Sequence, residues 1–173
     1  MTHRASLLFG LVMAAVLALS PVLRAGDARE FKAGDLTIRH AWSRPTDRMA
    51  KTGAIYLTIA NEGTSADRLL TASTPAAAIA QLHTTVNKDG MLSMQHLAAI
   101  DIPAKSTTTL KPGVFHVMLM QLKAPLAVGA HFPLELGFEK AGKVTLEVSV
   151  EQPSADGGGM KMDMGHDGAG MKH

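Results

Sequence analysis

From about Asp35 to Glu151 the chain runs in short stretches of alternating or β-branched apolar residues, each broken by a turn signal. Leu36-Thr-Ile-Arg-His-Ala-Trp42 alternates apolar and polar positions. Ala54-Ile-Tyr-Leu-Thr-Ile59 is apolar and β-branched and ends at Asn61-Glu-Gly63. Similar segments cover Arg68–Ser73, Ala80–Val86, Leu92–Ala98, Thr107–Leu110, His116–Leu122, Phe132–Phe138 and Val144–Val150. Asp89-Gly90, Pro103, Pro112-Gly113, Gly129 and Ala141-Gly142 separate them. Many short strands at this spacing predict an all-β sandwich or small barrel. No helical pattern of strand-connecting length intervenes, which argues against an α/β fold. Pro75–Ala80 allows one short helical turn. A unit of about 120 residues is enough for a single core, and neither a repeat nor a second domain is visible.

Both ends depart from this pattern. Leu7–Leu19 is an unbroken apolar run of 13 residues after a short basic start at His3 and Arg4. Small and turn residues follow, through Ser20, Pro21, Ala25, Gly26 and Ala28. This layout predicts a secretory signal peptide at residues 1–25, with cleavage after Ala25 or after Ala28. The run is shorter than the roughly 20 apolar residues of a membrane span, so no span is expected in the mature protein. A β-domain over residues 26–151 and a tail over 152–173 complete the organisation. Pro153 to His173 holds six Gly, four Met and two His, with no Ile, Leu, Val or aromatic residue. Such a composition cannot bury enough apolar surface to order itself, which predicts a flexible tail.

Composition narrows the chemistry. Removing residues 1–25 takes away Arg4 and Arg24 but no acid, and leaves 15 cationic and 15 acidic residues. That balance gives no support for nucleic-acid binding, which calls for a basic patch. The sequence has 11 Met and no Cys. Exported proteins meet oxidising conditions in which thiols pair as disulfides. A soft-metal site built from thioethers survives there.

Against that background His83, Met94, His116 and Met118 stand out. Ten residues lie between the first two, 21 between Met94 and His116, and one between His116 and Met118. Residues i and i+2 of a strand share a face, so His116 and Met118 are expected to point together. His83 and Met94 fall on consecutive segments joined by Asn87-Lys-Asp-Gly90. Thioether sulfur selects Cu(I), and imidazole also suits copper. Blue-copper electron transfer needs a Cys ligand, which this sequence lacks. Any single Met on a strand is ordinary core filler; only the set points to a metal. Met91 and Met120 are expected to pack, with Met120 the alternative ligand because it shares the His116 face. His96 shares a face with Met94 but lies outside the spacing. His40 and His131 are expected at the surface, and Trp42 and Tyr56 in the core. There is no nucleophile motif, phosphate loop or suitably spaced carboxylate pair, so an enzyme is not expected.

The spacing His, ten residues, Met, 21 residues, His, one residue, Met resembles that of the periplasmic copper chaperones of the PCu(A)C family. Tyr56-Leu-Thr-Ile-Ala-Asn61, Ile102-Pro-Ala-Lys, Leu110-Lys-Pro-Gly, His116-Val-Met-Leu-Met-Gln-Leu122 and Gly137-Phe-Glu-Lys-Ala-Gly142 resemble the family as well. The resemblance spans roughly Leu36 to Val150. It implies a cupredoxin-like Greek-key β-sandwich or barrel holding one Cu(I) through His83, Met94, His116 and Met118. It also implies a periplasmic location and delivery toward the copper centre of cytochrome c oxidase subunit II, alongside a thiol-bearing copper assembly factor. Three positions depart from the family pattern. Thr84 stands where some members have Met, Gln95 where Arg is common, and Val114 where Gly is frequent. Met160, Met162, Met164, His166, Met171 and His173 form a second, tail-borne set suited to copper, including Cu(II) through the two imidazoles. Copper storage or resistance is the alternative function that this tail supports.

Overall fold

A computed structural model describes residues 29–152. The expected signal peptide and the Met/His-rich tail lie outside these residues. The described chain is all-β, with eleven strands: β1 Glu30–Ala33, β2 Leu36–Ser43, β3 Thr52–Asn61, β4 Asp67–Ser73, β5 Ala77–Lys88, β6 Met91–His96, β7 Ile100–Ile102, β8 Ser106–Leu110, β9 Phe115–Leu122, β10 His131–Phe138 and β11 Lys143–Val150. Every segment expected from alternation contains a strand. β1 and β7, of four and three residues, are too short to show a period. The helical turn allowed at Pro75–Ala80 does not form, because β5 already begins at Ala77 and pairs there with Leu122 of β9.

Hydrogen bonding joins the strands in the order β6-β5-β9-β3-β2-β11-β10-β4-β7, with β1 on β2 and β8 on β3. The β11–β2 pair is parallel, and the other pairings are antiparallel. The sheet curls on itself, since β4 packs against β5 and β7 against β8. Its inner face encloses one hydrophobic cluster that includes Ile38, Ile55, Leu57, Ile59, Val117, Leu119, Leu134, Leu136 and Val148. These residues obey the two-residue period: Ile55, Leu57 and Ile59 point inward from β3, and Val117 and Leu119 from β9. Each buried branched side chain stabilises the fold by about 1.5–3 kcal/mol over its exposed state.

Alternation that buries Val117 turns its neighbours to the other side of β9. The register therefore matters as much as the strand itself. A one-residue slip would exchange every inward and outward side chain. On β5 and β6 the register is set by the two-residue turn Asp89-Gly90, with φ of 53° and 83°. Positive φ at both central residues is the mark of a hairpin turn matched to strand twist. Asn87 closes this turn, its Oδ1 accepting from the Gly90 N–H at 3.0 Å.

Candidate metal centre

The register places three imidazoles side by side. His83 of β5 pairs directly with His116 of β9 on one side and with His96 of β6 on the other. The His83 and His116 ring centroids are 5.9 Å apart, as are those of His83 and His96. An ion bonded at about 2.0 Å to a nitrogen of each of two imidazoles holds their centroids roughly 6 Å apart when it lies between them. The His83–His116 pair already has that separation.

The two inner rings keep one nitrogen open. His116 Nδ1 donates to the Val114 carbonyl at 3.3 Å, and His83 Nε2 donates to Gln81 Oε1 at 3.4 Å. His116 Nε2 and His83 Nδ1 are buried with no hydrogen-bond partner. Buried polar atoms are nearly always satisfied, so two orphan ring nitrogens on neighbouring strands call for a ligand. The arrangement is the usual one for metal-binding histidine, in which the second ring nitrogen is tethered and fixes the tautomer.

Electrostatics favour the neutral rings that metal binding needs. Burial, followed by repulsion from the His116 and His96 rings, holds His83 below the usual histidine value. Burial also lowers His116, against a smaller opposing effect of the Val114 carbonyl.

The thioethers flank this row on opposite sides. Met118 pairs with Gln81, one same-face step from His83 along β5. Met94 pairs with Thr85, one same-face step in the other direction. Met118 is half-buried, whereas Met94 is 60% exposed on β6, whose six residues are all exposed. His83, His116 and Met118 thus lie together on two adjacent strands, and Met94 reaches the same face from the edge.

A turn positions His116. In Lys111-Pro-Gly-Val114 the Val114 N–H donates to the Lys111 carbonyl at 3.1 Å, and Gly113 has φ of 80°. Proline followed by a positive-φ glycine is the type II pattern. The Val114 carbonyl then accepts from both Thr85 N–H, at 3.0 Å, and His116 Nδ1. Val114, a departure from the family pattern, thus acts here through its backbone.

The row continues beyond His116. Tyr56 of β3 lies 6.4 Å from the His116 ring, and Trp42 of β2 lies 4.9 Å from Tyr56. Tyr56 is buried, with its ring beside that of His116. Residue type predicts both aromatics in the core: Tyr56 is buried, whereas Trp42 is only half-buried. Burial, partly offset by the Arg44 charge, raises the Tyr56 hydroxyl above its usual value.

The remaining candidates separate cleanly. Met120 shares the face of Met118 one step further on, paired with Ile79 and Thr52. Met91 is 74% exposed, so it does not pack as expected. His40 and His131 are exposed and sit beside Glu151 and Glu147. Among the described residues, no three His, Asp or Glu side chains already converge on one point. A soft donor set built on two imidazoles and thioethers does not require that. The six tail candidates, Met160 to His173, lie outside the described residues.

The fold is that of PCuAC domains. The chain is similar to the copper-bound PCuAC domain of PmoF2, with 29% identity and a TM-score of 0.63 over 72% of this chain and 99% of that one. It is also similar to Cu(I)-bound DR1885 of Deinococcus radiodurans, with 28% identity and a TM-score of 0.56 over 76% and 87%. Its all-β architecture is the cupredoxin-like one of these domains. Residues 36–150 match the family described as "Putative lipoprotein LpqE-like", and the chain belongs to that family. One relative, described as "Putative lipoprotein Lxx21020", from Leifsonia xyli subsp. xyli, is 37% identical over 99 residues. The match spans 57% of this chain and 60% of that relative.

Proposed function

We infer that this protein is a periplasmic copper chaperone. It binds one Cu(I) through His83, Met94, His116 and Met118 and delivers it toward the copper centre of cytochrome c oxidase. The observation that carries this reading is the pair of buried, unpartnered nitrogens, His83 Nδ1 and His116 Nε2, on neighbouring strands beside Met118. Copper-bound neighbours of the same fold support the choice of metal. The four ligands are neutral, so the bound site keeps the ion's charge. Thioethers hold copper less firmly than thiolates do, which suits an ion that must be passed on. The exposed Met94 lies where a recipient's ligands can replace it first. Delivery to subunit II, in company with a thiol-bearing assembly factor, follows from the resemblance of the whole β-domain to periplasmic copper chaperones.

Export is supported by the apolar run Leu7–Leu19 and by relatives described as lipoproteins. These 173 residues contain no cysteine and so offer no thiol for a lipid. Among the described residues no helix is long and apolar enough to cross a membrane. We place no catalytic step in this protein.

The tail fits a recruiting role, with Met160, Met162, Met164, His166, Met171 and His173 presenting copper to the main site. β11, which leads into the tail, pairs with β2 through Ser149 and Trp42. Three strand spacings, about 14 Å, separate β11 from β9. The eight Cα-to-Cα steps from Gln152 to Met160 reach at most about 28 Å. Storage or resistance is the second reading, favoured by the same six side chains.

Competition titration with a Cu(I) chelator tests the main proposal. His116→Ala and Met118→Leu are each expected to weaken Cu(I) binding by at least about 10–100-fold, the range seen when a metal site loses a supporting group. Unchanged affinity in both variants overturns it. Transfer from the loaded protein to a soluble subunit II domain separates delivery from storage.

A further inference from the structure

The chaperone reading uses two of the three imidazoles in the cross-strand row. His96 lies outside the ligand spacing, yet the register sets it directly opposite His83, with the same 5.9 Å ring separation as His83 and His116. It comes from the edge strand, where every residue is exposed. Its backbone is held close, because the next residue's N–H, that of Leu97, donates to the Leu82 carbonyl at 2.8 Å.

The four ligands of the main proposal are matched to one valence. Thioethers select Cu(I), whereas imidazole serves copper more generally. When Cu(II) reaches this face, the two thioethers are its poorest donors. The buried His83 Nδ1 and His116 Nε2 remain open to it. A third nitrogen donor one strand away completes a set that thioethers cannot supply.

We propose that His96, His83 and His116 form a Cu(II) site overlapping the Cu(I) site, with the His96 imidazole taking the place of the thioethers. Its ring swings inward to join the other two, since the three rings do not converge in the metal-free arrangement. An exposed side chain changes rotamer within nanoseconds, so this movement requires no change of fold. The site then accepts copper of either valence by exchanging ligands around a fixed imidazole pair. The inference rests on His83 and His116 being copper ligands, as proposed above.

The test uses the full chain carrying His166→Gln and His173→Gln, so that tail imidazoles do not contribute, with and without His96→Gln. One equivalent of Cu(II) is added, and pulsed EPR counts the bound imidazole nitrogens. The expected result is three imidazoles with His96 and two without it. Cu(II) affinity, measured against nitrilotriacetate, is expected to fall about tenfold or more, while Cu(I) affinity stays within about twofold. An unchanged imidazole count and Cu(II) affinity in His96→Gln overturns the proposal. Equal weakening of both valences also overturns it, because His96 then belongs to the Cu(I) site. Failure of the parent protein to bind Cu(I) while the Cu(II) result holds rejects the chaperone reading and leaves this one standing. Thermal melts of the metal-free proteins check that the exposed substitution leaves the fold intact.

Discussion

His116 combines two properties that rarely coexist. It is 3% exposed, and one of its ring nitrogens has no partner. Burial lowers its proton affinity, as it does that of His83. The unfolded chain, with ordinary imidazoles near pH 6.5, therefore binds protons before the folded one does. Stability attributable to these rings is present above about pH 6.5 and is lost as pH falls toward their folded values. Metal-free protein should melt at lower temperature at pH 5.5 than at pH 7.5, and His116→Asn should flatten that slope. A second residue-scale prediction separates two methionines of β9. Met118 adjoins the imidazole row, whereas Met120 is a further step away beside Ile79 and Thr52. Met120→Leu should leave Cu(I) affinity within about twofold while Met118→Leu does not, as competition titration will show; a volume-conserving Met-to-Leu change costs little in packing.

Among the elements, the β5–β6 hairpin and β9 carry the site, but other joints hold the sheet that supports them. Asp67, at the start of β4, is buried. Burial would raise its carboxyl, but the backbone N–H groups of Lys140, Arg68 and Ala141 outweigh that effect and hold it below the usual value. The distances are 3.0 Å to Lys140 N, 2.7 Å to Arg68 N and 2.9 Å to Ala141 N. Asp67 thereby ties the β10–β11 turn to β4. Removing a carboxylate that satisfies buried donors costs about 1–3 kcal/mol. Asp67→Ala should lower stability by about that much in urea denaturation. The bonds of Asp67 run to Arg68, Lys140 and Ala141 and not to any residue of β5, β6 or β9, so Cu(I) affinity should not change. The Asp67 contribution is present above the unfolded carboxyl value, near pH 3.8, and is lost as pH falls through the lower folded value.

At the scale of the whole molecule, the imidazole row spans β6, β5 and β9, and aromatic rings extend it across β3 and β2. One side of the sheet is therefore committed to ring contacts while the inner face holds the aliphatic core. β11, which leads into residues 153–173, adjoins β2 at the far end of that row. If the tail recruits copper, a chain ending at Gln152 should bind one Cu(I) with unchanged affinity but fewer Cu(II) ions than the full chain. Equal stoichiometry of both chains for both valences, measured by equilibrium dialysis, would remove the tail from the mechanism.

The positions of the strands follow from local sequence. Alternation and turn residues mark nine of the eleven, because a strand with one buried face must repeat every two residues. Asp89-Gly90 announces its hairpin because few residues tolerate two successive positive φ values. The spacing of His83, Met94, His116 and Met118 is likewise visible without a structure. β1 and β7 are not legible in the sequence because three or four residues show no period, and the pairing of β7 with β4 is non-local. The direct opposition of His96, His83 and His116 is also non-local. It depends on register across strands separated by as many as 33 residues of chain, from His83 to His116. Tyr56 is buried as its type predicts, but only the cross-strand register sets its ring beside that of His116. Sequence alone determined which residues could ligate copper and that they sit on strands. Only the tertiary structure decided which ring nitrogens are buried, tethered or open, because that depends on how neighbouring strands pair and what they exclude from water.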